Sequence, residues 1–178
     1  IGAMLKNKGT LLFAFRNNTS EAISHIDWTA TARSGGSIVG SGSSQGTAPS
    51  QVQPGEVGLS YIYFDNAKSI PDNAEYEFRV KTVSADPTPY NTAPFKVTEA
   101  NLVGDAIVGG ATNGTSASAT GPFSVSIYCF EADKLDDHIS AFADQQGPIA
   151  PGGTVSFSTK LYGDSCATFA VGVSGWFE

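Results

Sequence analysis

A chain of 178 residues is long enough for one large domain or for two of about 90, a size at which a sandwich of sheets buries a workable core. Hydrophobic residues make up 40% of it and charged ones 15%, so the chain should fold, with a polar surface built largely from Ser, Thr, Asn and Gly. The net charge of −7 and pI near 4.7 exclude nucleic acid as a natural partner, since phosphate backbones are held by clustered Lys and Arg; and no run approaches the roughly 18 apolar residues that a membrane-spanning helix needs.

The opening Ile1-Gly2-Ala3-Met4 carries the single methionine and reads equally as a cloning scar or a trimmed mature end. Beyond it no apolar stripe at helical spacing is sustained over three turns. Strand alternation is clear instead. It begins at Leu11 to Phe15 and continues through Ile26, Trp28, Ala30 and Ala32, which share one face. Val57 to Phe64 follows, then Tyr76, Phe78, Val80 and Thr82. Turn residues bound each run: Asn17-Asn18, Gly35-Gly36, Pro54-Gly55 and Pro71-Asp72-Asn73. Asp86 to Pro94 holds three prolines in nine residues, which suits a stiff connector and not a central strand. The pattern then restarts with Ala106 to Ala111, Phe123 to Phe130, Val155 to Leu161 and Ala167 to Val173.

The two halves can be read in register. Asn17-Asn18-Thr19-Ser20 corresponds to Asn113-Gly114-Thr115-Ser116, and the face Ile26, Trp28, Ala30, Ala32 to the face Phe123, Val125, Ile127, Cys129. Gln53-Pro54-Gly55 corresponds to Ala150-Pro151-Gly152, and Glu77 to Val80 corresponds to Thr168 to Val171. Landmarks in the same order, on the same faces, predict a duplicated module. The expected organisation is a first β-sandwich over residues 1–88 and a second over 89–178, each with its own interior.

The layout resembles the FxLYD domains of bacterial envelope proteins. Val125-Ser126-Ile127-Tyr128-Cys129 stands where Phe-x-Leu-Tyr-Asp would be, keeping the tyrosine and the apolar period but not the terminal aspartate. Trp28-Thr29-Ala30-Thr31-Ala32 keeps the aromatic at the head. The resemblance implies an all-β chain of two tandem immunoglobulin-like antiparallel sandwiches in an envelope protein, and it carries over no catalytic residue.

Candidate sites are sparse. Only His25 and His138 are available to a hydrolase, and His25 reads as a solvated strand-edge residue. No Gly-x-Ser-x-Gly elbow, His-Glu-x-x-His or phosphate loop is present, and the expectation is no enzyme and no cofactor. Glu131, Asp133, Asp136, Asp137 and His138 offer oxygen and imidazole ligands to a cation in what reads as an acidic loop, though without the spacing of a calcium loop. Asp164 after Gly163 reads as a turn residue. Tyr61-Ile62-Tyr63-Phe64 makes both faces of one strand apolar, so one face needs cover from the neighbouring module, from its own loop or from a ligand; Tyr61, Tyr63 and Phe64 are the candidate ligand-binding residues. Trp28 reads as core. Trp176-Phe177 reads as core or as the place where the chain was cut.

Cys129 and Cys166 are placed either for one bridge or for two buried thiols. Asn17, Asn18 and Asn113 lie in Asn-x-Ser/Thr sequences, for which the turn reading suffices. The functional expectation is an extracytoplasmic spacer or protein-binding platform whose partner is another envelope protein or a glycan. The rival expectation is a carbohydrate- or metal-binding protein using the aromatic strand or the segment 131–138.

Overall fold

The structure, a computed structural model, describes residues 1–178 except Ala3 and Asp164, and only the backbone of Gln45. The turn expected at Asp164 therefore lies outside the described residues. The first half contributes β1 (Met4–Leu5), β2 (Thr10–Arg16), β3 (Ile23–Ser34), β4 (Ser37–Ala48), β5 (Val57–Tyr63) and β6 (Glu75–Ser84), with a 3-10 turn at Ala67–Ser69. The second contributes β7 (Thr92–Val103), β8 (Ala106–Asn113), β9 (Ala119–Glu131), β10 (Lys134–Phe142), β11 (Thr154–Lys160) and β12 (Thr168–Phe177). Turn chemistry closes these strands locally. Gly35 and Gly36, with φ of 57° and 82°, supply the two left-handed residues of the tight β3–β4 hairpin.

Each half forms one six-stranded antiparallel sheet, in the order β1-β2-β5-β4-β3-β6 and β10-β9-β12-β7-β8-β11. The expected facing sheets are thus the two wings of one continuous sheet, joined by a strand that changes partner along its length. In the first half β4 pairs with β3 up to Ser43 and with β5 from Ser43 to Ala48, across a bulge between Ser44 and Thr47. In the second half β7 pairs with β12 from Thr92 to Phe95 and with β8 from Phe95 onward. The duplication is visible in the pairing: β1-β2-β5 corresponds to β7-β8-β11, and β4-β3-β6 to β10-β9-β12. Only the joining contact differs, β4–β5 in one half and β12–β7 in the other.

The repeated asparagines build the same turn twice. Asn17 donates from Nδ2 to the carbonyls of Glu21 (2.8 Å) and Val52 (2.9 Å), and its Oδ1 accepts from the Thr19 amide (3.0 Å) and hydroxyl (2.7 Å). Asn113 donates to Ala117 and Ile149 (both 2.9 Å) and accepts from the Thr115 amide (3.0 Å) and hydroxyl (2.7 Å). Both side chains are buried, so each amide serves as a bolt between an Asx turn and the loop before the next strand.

Three apolar layers hold the molecule together. The first lies between the wings of the first half: Leu11, Phe13, Ala30, Ala32, Ile62 and Phe64, closed by Ala67 and Ile70 of the loop after β5. Trp28 packs against this layer, edge-on to Phe13 with ring centroids 5.3 Å apart. The second layer lies between the wings of the second half and includes Phe95, Ile107, Phe123, Ile127, Phe157 and Val173. The third joins the halves: Leu12 and Ala48 meet Tyr128 and Leu135, with Leu5, Leu59, Tyr61 and Phe130 around them. Two interiors were expected; the third follows from strands β2, β5 and β9, each apolar on both faces.

The connector is shorter and firmer than its prolines suggest. Strand β7 already begins at Thr92, so Pro94 sits inside a strand, where it faces Ser174 of β12. A proline is tolerated there because β8 joins β7 only from Phe95, leaving the other edge unpaired at that point. Asn91 locks the connector: its side chain is buried, donates to the carbonyls of Ser84 (3.1 Å) and Asp86 (2.9 Å), and accepts from the Ser24 hydroxyl (2.6 Å).

Candidate functional site

The outward face of the β10-β9-β12 wing points at the first half, and its character changes along its length. Toward the end of β9 it carries Tyr128 and Phe130, which fill the third apolar layer. Here Gly172 of β12 lies so close to Ala48 that an added Cβ would sit 2.5 Å from the alanine methyl. Lys8 and Asp137 close this end with an ion pair of 2.8 and 2.6 Å to the two carboxylate oxygens. Toward the start of β9 the same face carries Ser124 and Ser126, beside Ser140 of β10 and Ser174 of β12. Small hydroxyl side chains cannot span the gap, and a cleft of about 490 Å³ opens between the halves.

The opposite wall comes from β3 and β4. Ser24 pairs with Val83 and Asp27 with Lys81, so His25 and Ile26 together oppose the single Thr82 in a bulge. His25 takes a left-handed φ of 42°, and His25, Ile26 and Asp27 all line the cleft. The His25 Nε2 lies 3.2 Å from the Tyr90 carbonyl, and its ring is 5.9 Å from that of Trp176. Ser44, Gly46 and Thr47 of β4 complete this wall, with Tyr61 of β5 at the back.

The expected aromatic site divides. Phe64 is buried in the first interior, and Tyr61 is covered by the second half, its ring centroid 4.2 Å from that of His138; the neighbouring module is therefore what covers that face. Burial raises the Tyr61 phenol above its ordinary pKa, opposed by a hydrogen bond with Ser140. Tyr63, 44% exposed, stands apart from the other two. These three residues are not brought together on one free surface.

The acidic segment is not a loop, which corrects the expectation for it. Ala132 and Asp133 form a two-residue hairpin turn, and Asp136, Asp137 and His138 already belong to β10. Asp137 is buried and committed to Lys8, and its Oδ1 also accepts the His138 amide at 2.7 Å. His138 turns the other way, between Tyr61 and Tyr128. Glu131, Asp133 and Asp136 point into solvent. Among the described residues no group of three or more His, Cys, Asp or Glu side chains is placed to hold a metal ion. Burial lowers the His138 pKa to about 4, Asp137 opposing this and Lys8 adding to it.

Cys129 and Cys166 form a disulfide with their Cα atoms 5.0 Å apart, tying β9 to the segment before β12. Trp28 lies against the first core, while Trp176 is 39% exposed at the cleft mouth and Phe177 is buried. Neither histidine ring bonds a serine or carboxylate side chain among the described residues. Sequence reasoning missed Ser124, Ser126, Ser140 and Ser174, because outward serines on alternating strands read as ordinary solvated positions. The available signal was on β9 itself, whose outward face switches from serine to aromatic at Tyr128.

The geometry defines a tandem all-β protein with two antiparallel sheets and a seam between them. Compared with known proteins, the chain matches no family model, no curated protein and no solved structure. No helix among the described residues is long and apolar enough to cross a membrane.

Proposed function

We propose that this chain is a rigid double module, non-enzymatic, acting as a spacer or protein-binding platform in a bacterial envelope protein. Each half is immunoglobulin-like in this reading: wings β1-β2-β5 and β4-β3-β6 alternate in sequence as the strands of that fold do, and the likeness of Val125 to Cys129 to the FxLYD motif agrees with it. The observation that carries the proposal is the third apolar layer. Tyr128 is fully buried between the halves, so they share a core and do not swing on a tether. The disulfide supports an extracytoplasmic setting, where such bonds persist. The non-enzymatic reading is supported by the histidines: His138 is wedged between tyrosines, and among the described residues the one polar partner of the His25 ring is a backbone carbonyl.

Spin labels at two exposed sites, Ser37→Cys in the first half and Asp105→Cys in the second, test the rigidity directly. The native cysteines are bonded to each other and do not label. A single narrow interspin distance distribution is expected, broadened by Tyr128→Ala. A broad distribution in the otherwise unmodified chain would contradict the proposal.

A further inference from the structure

Three neighbouring depressions along the seam share lining residues. The main cleft shares His25 with a shallower one lined by Asp86, Thr88 and Tyr90, and shares Trp176 with another lined by Pro89, Tyr90 and Thr120. Three exposed aromatic rings border this row of depressions: Tyr90 at 84%, Phe142 at 62% and Trp176 at 39% exposure. A ring partly left in water beside a concave surface offers a flat apolar face; Trp176 has His25 as a ring neighbour, and no ring contact involves Tyr90 or Phe142 among the described residues. Between the rings lie the hydroxyls of Ser124, Ser126 and Ser174, none of which makes a side-chain hydrogen bond among the described residues, and the exposed carboxylate of Asp27.

Charge narrows the ligand. Among the described residues the only carboxylates lining the groove are Asp27, Asp86 and Glu178, and no Lys or Arg lines any of the three depressions. Phosphorylated, sulfated or uronic ligands would meet repulsion with no compensating cation. A peptide adding as a further strand would need an open edge, and β9 and β12, which floor the main cleft, are hydrogen-bonded on both sides. A neutral sugar chain needs neither. Its ring faces are apolar C–H surfaces that stack on aromatics, and its hydroxyls exchange hydrogen bonds with serines and a carboxylate.

We propose that the seam groove binds a neutral oligosaccharide, with sugar rings stacked on Trp176, Tyr90 and Phe142 and hydroxyls held by Ser126, Ser174 and Asp27. Tyr61 only backs the main cleft, and the site needs both halves to form its walls. It rests on their fixed relation, which the spin-label distances report independently of any sugar.

The test titrates the intact protein with neutral glucose, xylose, mannose and N-acetylglucosamine oligomers while following the indole N–H signal of Trp176, resolved from that of Trp28, by NMR. At least one series is expected to shift it saturably. Trp176→Ala, read on other groove signals, and Phe142→Ala should each weaken that binding about tenfold or more, with the melting temperature little changed in Phe142→Ala, whose ring is 62% exposed. Silence across the panel up to about 10 mM, unchanged affinity in both variants, or occupation of the groove by neutral peptides in place of sugars would each overturn the proposal.

Discussion

His138 gives the sharpest physical test of the intermodule layer. Its ring is pressed between Tyr61 and Tyr128, with centroids 4.2 and 4.6 Å away, and the charged groups beside it are Asp137 and Lys8, which satisfy each other. Burial lowers its pKa from the ordinary 6.5 to about 4. In that interval the unfolded chain carries a proton that the folded chain refuses. The unfolded state therefore binds more protons, and stability rises with pH: the contribution is complete above 6.5 and is lost as pH falls toward 4. A fall from 6.5 to about 4, at 1.36 kcal/mol per unit, is worth about 3 kcal/mol.

Urea unfolding at the two ends of that window measures it, in the native chain and in His138→Leu. The depressed carboxyls of Asp72 and Asp86 do not confuse the reading, because both are exposed and their contribution fades only below 3.8, outside the window. The native chain should lose about 3 kcal/mol between the two pH values, and the leucine variant should lose almost none of it. Parallel losses in both proteins would refute the reasoning, since the titrating group would then lie elsewhere.

Further outcomes follow from the same packing. Tyr128→Ala removes a fully buried ring from between the halves and should cost about 3–5 kcal/mol by chemical denaturation. Asn17→Ala and Asn113→Ala each remove two side-chain donations to backbone carbonyls and the acceptor of the Asx turn; each should lower stability by about 1–3 kcal/mol, equally for the two sites, as read from urea midpoints. Reducing the Cys129–Cys166 bond, which spans a sequence separation of 37, should cost about 4 kcal/mol, measured by unfolding with and without reductant.

What could be read from the sequence was what is local. Strand period, glycine turns and the paired Asn-x-Thr turns depend on neighbours a few residues away, and the structure places them where those neighbours demand. The repeat was legible because both halves reuse the same bolt, Asn17 in one and Asn113 in the other. Pro94 misled because a proline excludes a strand only where both edges are paired, and that depends on where β8 begins. The acidic segment misled in the same way: its charge suggested solvent, yet Asp137 is buried because Lys8, 129 residues earlier, reaches it.

The cleft was hidden for a related reason. Alternation tells which side chains share a face but not what that face meets, and β9 shows the difference within one strand. Ser124, Ser126, Tyr128 and Phe130 all point to the same side; Tyr128 is fully buried with Phe130 packed beside it, while the serine pair lines the open cleft. An outward face that changes in mid-strand from small hydroxyls to large rings therefore marks the border between an interface and a groove. The proposed interface and the proposed sugar site are in this sense two consequences of one strand, and a substitution such as Ser126→Phe should extend the first at the expense of the second, closing the groove to the oligosaccharides of the NMR panel without loosening the two halves.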